Sequence, residues 1–183
     1  GNLWPVCGCG QLVTAKPLRY GLILAFAVMA LDQLTKWWVL EGLMQPPQRI
    51  ILTPFFNLVS GWNRGVSFGM FSSDSPWSGW ILSLLALGIV AFLVHLLRKA
   101  DCRHNIIAIG LIIGGAIGNV LDRLVHGAVY DFLDIHISGH HWPAFNVADS
   151  AITIGVAMLL YDSFRPSKGT GDPDSSDHRS GDV

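Results

Sequence analysis

Four long apolar runs organise this chain, and each is close to the roughly 20 residues that a helix needs to cross a bilayer. The first extends from about Leu18 to Leu40 and begins with the unbroken apolar stretch Tyr20 to Leu31. The second, Trp77 to Leu97, contains no Asp, Glu, Lys or Arg, and its only titratable group is His95 near one end. The third runs from about Ile106 to Val125 and the fourth from about Phe145 to Tyr161. Helices are expected for all four, because a segment in lipid must satisfy its own backbone hydrogen bonds. Loops at residues 41–76 and 126–144 separate the first span from the second and the third from the fourth.

Composition agrees with the periodicity. Of 183 residues 51% are hydrophobic and only 14% charged, against roughly 25% charged in a soluble domain, and the mean hydropathy is +0.44. One membrane domain over residues 18–162 is expected, preceded by a cytoplasmic segment 1–17 and followed by a disordered cytoplasmic tail 163–183, rich in Ser, Asp and Gly. A net charge of -1 gives no reason to expect a nucleic-acid partner. Cys7, Cys9 and Cys102 lack the spacing of a zinc site or a disulfide framework. Cys7 is not preceded by a basic region and an apolar run, so the first residues do not read as a signal peptide.

Basic residues orient the spans. Lys16 and Arg19 precede the first, Arg98, Lys99 and Arg103 lie between the second and third, and Arg165 and Lys168 follow the fourth, which puts both termini in the cytoplasm. The two outer loops carry only Arg49 and Arg64. Trp37, Trp38, Trp77, Trp80 and Trp142 fall near the outer boundary, where amphipathic rings prefer to sit.

Polar residues inside the spans carry the chemistry. At 1.5 Å per residue, Arg123 lies roughly 25 Å above Ile106 and Asp32 about 20 Å above Arg19, while Asp149 is one turn into the descending fourth helix. All three therefore belong to the outer half. Asp32 with Lys36, Asn119 with Asp122 and Arg123, and Asn146 with Asp149 and Thr153 each form a stripe on one helical face, and none of the stripes is suited to lipid. Gly110, Gly114 and Gly118 make a seam for close helix packing.

Ionisable groups in a membrane mark sites or pathways. Asp131 and Asp149 stand out because neither has a basic neighbour within a turn, and each is expected where a span meets its outer end. Two nearby carboxylates tend to share one proton, which is the chemistry of an aspartic hydrolase. Several alternatives stand beside this reading. Asp32 and Lys36 form a purely structural pair in one of them, and Asp122 with Arg123 is equally well a structural ion pair or a substrate contact. A metal could be held by His136, His140 and His141 with Asp131, Asp134 or Asp149, although the spacing matches no metal motif. A small proton-coupled carrier with an Asp relay would need polar residues across the whole bilayer, whereas the inner halves of the spans are apolar. A non-catalytic assembly factor would use the stripes to bind a partner helix.

The motifs Asp32-Gln33-Leu34-Thr35-Lys36, Asn63-Arg64-Gly65-Val66-Ser67-Phe68-Gly69, Gly114-Gly115-Ala116-Ile117-Gly118-Asn119 leading to Asp122-Arg123, Val129-Tyr130-Asp131-Phe132, and Phe145-Asn146-Val147-Ala148-Asp149-Ser150 occur in this order. Together they resemble the bacterial lipoprotein signal peptidase family, also called signal peptidase II, over about residues 18–162. The resemblance implies an all-α membrane protein of four transmembrane helices with a small extracytoplasmic β-cradle and a second outer loop. The cradle would be built from the Pro46-Pro47 break and the runs Ile50 to Leu52 and Phe55 to Val59.

It also implies an aspartic endopeptidase of the bacterial inner membrane. Such an enzyme cleaves prolipoproteins bearing diacylglycerol, just before the lipidated cysteine, at the outer face. Asp131 and Asp149 match the catalytic pair, and Asp32, Lys36, Asn63, Gly65, Asn119, Asp122, Arg123 and Asn146 match positions that bind substrate or support the site. No cofactor or metal is expected. The expected partners are lipid-modified prolipoprotein and membrane lipid, and the expected state is a monomer.

Overall fold

A computed structural model describes residues 16–65 and 77–164. The expected N-terminal segment before Lys16, the motif residues Val66 to Gly69 and the expected tail after Phe164 lie outside them. Four helices in the described residues are long and apolar enough to cross a membrane. Helix α1 spans Pro17–Trp37 and continues as a π-helical turn, Trp38–Leu43; α2 spans Ser78–Leu97, α3 Arg103–His126 and α4 Val147–Phe164. Pro17 occupies the first turn of α1, where its missing N–H costs nothing. Helix α3 ends at Gly127, whose N–H still reaches the Arg123 carbonyl at 3.0 Å and whose φ of 72° then turns the chain out of the helix. Cys102, just before α3, is disulfide-bonded, a pairing that the cysteine spacing did not suggest.

Helix α3 is the centre of the bundle and packs against α1, α2 and α4. Its glycines explain how closely. A Cβ on Gly114 would stand 2.5 Å from the Ala25 carbonyl oxygen of α1, and one on Gly115, on the side toward α4, would collide with the Ala148 carbonyl. Below the polar stripes, Ala25, Leu93, Leu96, Leu97, Ile106, Ile109, Ile112 and Ile113 form an apolar core. Large apolar side chains cover the outside, with Ile81, Leu84, Leu85 and Phe92 exposed along α2, as expected of a lipid-facing helix.

A four-stranded sheet caps one end of this bundle, in the order β1 (Ile50–Thr53), β2 (Phe56–Asn63), β3 (Val129–Ile137), β4 (His140–His141), with every neighbouring pair antiparallel. The expected cradle strands correspond to β1 and β2. The second outer loop is different from expectation: its first half is the longest strand of the sheet. Its Val, Tyr, Phe, Leu and Ile residues favour extended backbone, and pairing with β2 satisfies its peptide groups. Asp131 therefore sits within a strand and not at the end of a span. Val39, Met44, Leu58, Tyr130 and Phe132 form a second apolar core between the π-helical turn and the sheet.

One further contact sets the site. Just before α4, Phe145 pairs with Leu133, its N–H reaching the Leu133 carbonyl at 3.0 Å and its carbonyl accepting the Leu133 N–H at 2.8 Å. The start of α4 is thereby held against β3.

Candidate active site

Asn146 immediately precedes α4 and caps it. Its side-chain oxygen accepts the Asp149 N–H at 2.9 Å, while an Asp149 oxygen accepts the Asn146 N–H at 3.3 Å. These reciprocal bonds form a capping box, with Asp149 in the third helical position. The Asn146 amide then donates to Asp131 Oδ1 at 2.7 Å. One fully buried asparagine thus touches both acids.

Register supplies the next donor. Gly61 faces Asp131 across β2 and β3, and Asn63 faces Val129, so Asn63 and Asp131 are diagonal neighbours on one face of the sheet. Asn63 Nδ2 accordingly donates to Asp131 Oδ2 at 3.1 Å. From α3, Asn119 Nδ2 donates to Asp149 Oδ1 at 2.8 Å. Burial, and next the neighbouring Asp149 carboxylate, push the Asp131 carboxyl up to about 6, against the pull of the Asn63 and Asn146 hydrogen bonds and the positive charge of Lys36. Asp131 is 3% exposed, whereas Asp149 is only half-buried.

Neither acid has a basic neighbour within a turn, but folding brings distant positive charge to both. The Arg123 guanidinium lies within electrostatic reach of Asp149, Asp131 and Asp122. It donates to the carbonyls of Asn119 and Gly65, both at 3.3 Å, and its buried Nε has no hydrogen-bond partner. Gly65 in turn donates its N–H to Asn63 Oδ1 at 3.0 Å. The segment after β2 is thus tied to both the sheet and α3.

Beneath the acids lies a buried ionic group. Lys36 Nζ is 2.7 Å from Asp32 Oδ2 and 2.8 Å from Asp122 Oδ2, and donates to Asn119 Oδ1 at 3.2 Å. Asp122 is therefore paired with Lys36 and not with its sequence neighbour Arg123. Gln33, for which no role was expected, bridges the same carboxylates: its Nε2 lies 3.2 Å from Asp32 Oδ2 and 2.9 Å from Asp122 Oδ1. Its signal was an amide one position beyond an intramembrane aspartate.

All ten singled-out residues belong to one connected network. Thr153 does not. It is exposed and its hydroxyl bonds the Asp149 carbonyl of its own helix at 2.8 Å, because one turn past the cap this face of α4 has already left the site. The loop histidines also lie apart. His141 Nδ1 is 2.8 Å from Asp134 Oδ1, His136 stacks on His141 with ring centroids 4.8 Å apart, and Asn57 donates to Asp134 Oδ2 at 2.8 Å. Burial pushes the Asp134 carboxyl up, but the Asn57 and His141 hydrogen bonds and the charges of His141 and Arg49 outweigh it and hold the group below its ordinary value. Among the described residues no three His, Cys, Asp or Glu side chains converge as a metal site.

Two carboxylates held by amide donors thus lie at one end of a four-helix membrane bundle. Comparison with known proteins identifies the family. The family pattern described as "Signal peptidase (SPase) II" matches residues 24–165. A protein of Burkholderia vietnamiensis named lipoprotein signal peptidase is 45% identical over 148 residues, covering 80% of this chain and 89% of the relative. One of the same name from Burkholderia mallei is 43% identical over 147 residues, covering 80% and 88%. Two solved structures described as bacterial membrane enzymes are similar in fold. One has a TM-score of 0.70 at 30% identity, covering 79% of this chain and 92% of its own, and the other a TM-score of 0.68 at 32%, covering 79% and 89%. The chain belongs to the signal peptidase II family, and it is a multi-pass membrane protease.

Proposed function

We propose that Asp131 and Asp149 are the catalytic dyad with which this protein removes signal peptides from prolipoproteins, cutting just before the diacylglyceryl-modified cysteine. The observation that carries the reading is Asn146, whose side chain and backbone bond both carboxylates. Shared contact with one small side chain makes the acids neighbours, and the Asp149 charge is felt at Asp131. The shared proton resides first on the buried Asp131, whose carboxyl is pushed up to about 6. Asp149 is the more accessible of the two, and the N-terminus of α4 favours negative charge beside it. It takes a proton from water as the water attacks the scissile carbonyl; Asp131 donates to the carbonyl oxygen and then to the leaving amine.

Depth supports the substrate class. Acyl chains on the cysteine hold it in the outer leaflet while the apolar signal helix spans the core, so the scissile amide lies at the membrane surface. The sheet end of the bundle faces outward in the bacterial inner membrane, and both termini are cytoplasmic, as the Lys and Arg distribution favours. Asn63, Asn119 and Asn146 orient the dyad; Arg123 and Gly65 line the approach. The polar stripes are satisfied within one bundle, which favours a monomer. Incubation of the purified protein with a diacylglyceryl prolipoprotein and with its unlipidated precursor tests the reading. The smaller mature product is expected from the lipidated form alone, with or without a chelator. Equal cleavage of both forms would remove the lipid requirement.

A further inference from the structure

Asp32 and Asp122 have a relation to the dyad that their sequence positions do not suggest. Asp122 Oδ2 accepts the N–H of Tyr130 at 3.2 Å, the peptide immediately before Asp131. Asp32 Oδ1 accepts the N–H of Ala148 at 2.9 Å, the peptide immediately before Asp149. Each gripped residue is thus the direct neighbour of one dyad acid, on β3 in one case and α4 in the other. Lys36 Nζ stands between the two gripping carboxylates, 2.7 Å from one and 2.8 Å from the other. The path from one acid to the other runs Asp131, Tyr130, Asp122, Lys36, Asp32, Ala148, Asp149.

Lys36 has nothing left to offer a substrate. An ammonium has three donors, and these meet Asp32, Asp122 and Asn119. The side chain is also only 6% exposed. A buried ion pair is weak evidence for stability alone, so the arrangement calls for another use. The groups around the ammonium are Asp32 on its own helix and Asp122 and Asn119 on α3, and its charge also reaches Asp131 on β3, the acid that faces Asp149 of α4.

We propose that Lys36 is a positioning residue that fixes the separation of the two dyad carboxylates, by clamping together Asp32 and Asp122, which grip the peptides preceding Asp149 and Asp131. The proposal rests on the dyad reading given above. Its consequence is a specific signature in pH dependence. Coupling between two carboxylates splits their macroscopic pKa values; for any two unit charges at an effective dielectric near 20, moving from about 4 to about 5 Å apart narrows such a split by about half a unit. Loss of a positive charge by itself moves both limbs of the profile upward together. Spacing and charge are therefore separable.

The test is the pH dependence of kcat/KM for cleavage of a diacylglyceryl prolipoprotein by purified full-length wild type, Lys36→Met and Asp122→Asn, each checked for fold by size exclusion and thermal unfolding. In Lys36→Met the expected result is a bell narrower by about half a pH unit or more, kcat lower by roughly 10²-fold as for other ångström-scale misplacements, and KM within about twofold. Asp122→Asn keeps an oxygen for the Tyr130 N–H but loses the charge that holds the ammonium, and it should narrow the bell as well. A parallel displacement of both limbs at constant width would overturn the proposal, as would an unchanged profile with merely less active protein. Loss of fold in both variants would also overturn it, by making the group a brace of the bundle. Asp131→Asn and Asp149→Asn run alongside: cleavage persisting in either removes the dyad reading itself, whatever the Lys36 result.

Discussion

Replacing Asn146 by alanine strikes the point where the two acids meet, and the structure gives the size of the loss. The cap of α4 disappears, which costs about 1 kcal/mol, and the loss of the 2.7 Å hydrogen bond to Asp131 leaves a buried acceptor unsatisfied, about 2 kcal/mol. A total near 3 kcal/mol corresponds to a fall in Tm of roughly 6–12 °C for a chain of this size. Catalysis should suffer more than folding, since both acids lose their common tether and an ångström of misplacement costs about 10²-fold. The sign of the pH effect is also fixed. The Asn146 hydrogen bond lowers the Asp131 carboxyl, so its removal raises that group further, and the alkaline limb of kcat/KM, which reports loss of the shared proton, moves to higher pH. Thermal unfolding in detergent and gel-resolved cleavage of a lipidated prolipoprotein across pH read both effects. A Tm within about 2 °C of wild type, with kcat/KM within about threefold and an unmoved alkaline limb, would refute the reasoning.

Asp131 also makes stability depend on pH. Its folded value of about 6 lies above the ordinary 3.8, so its contribution is complete below about pH 4 and is lost as pH rises through 6, by about 3 kcal/mol at 1.36 per unit; Asp131→Asn should flatten that slope in unfolding measurements. Gly114→Leu drives a side chain into the Ala25 carbonyl and should destabilise by 2 kcal/mol or more, read as a lowered Tm; an unchanged Tm would show that α1 and α3 separate freely. His141→Ala breaks a half-exposed contact with Asp134 that lies outside the network, so it should cost under about 1 kcal/mol and leave kcat/KM within about twofold. A tenfold loss of activity there would bring the outer sheet into the site.

Much of this is legible in the amino-acid sequence, for physical reasons that differ from residue to residue. Four spans were readable because lipid enforces length and apolarity, and the common depth of Asp32, Arg123 and Asp149 followed from helical rise alone. Strand β3 was readable in principle: Leu133, Ile135 and Ile137 alternate with Asp134 and His136 at the period of a strand. Asp131 nevertheless breaks that alternation, a polar residue in register with Leu133 and Ile135 and set between the apolar Tyr130 and Phe132, so a loop was the natural expectation. The pairings of Asp32 with Ala148, 116 positions away, and of Gln33 with Asp122, 89 away, were not legible, because they depend on how helices pack and not on any local period. The disputed Asp32 and Lys36 pair is likewise more than mutual neutralisation within one helix. It reaches two other elements, which no single-helix pattern contains.

The central claim is that two carboxylates, one from a strand and one from a helix N-terminus, perform the cleavage together. It is tested most directly by incubating wild type, Asp131→Asn and Asp149→Asn with a diacylglyceryl prolipoprotein, after confirming that each is folded in detergent. The account predicts complete conversion to the smaller mature product by wild type and none by either folded variant. Product from either variant at more than about a hundredth of the wild-type rate, where loss of a paired catalytic group costs far more, would contradict it.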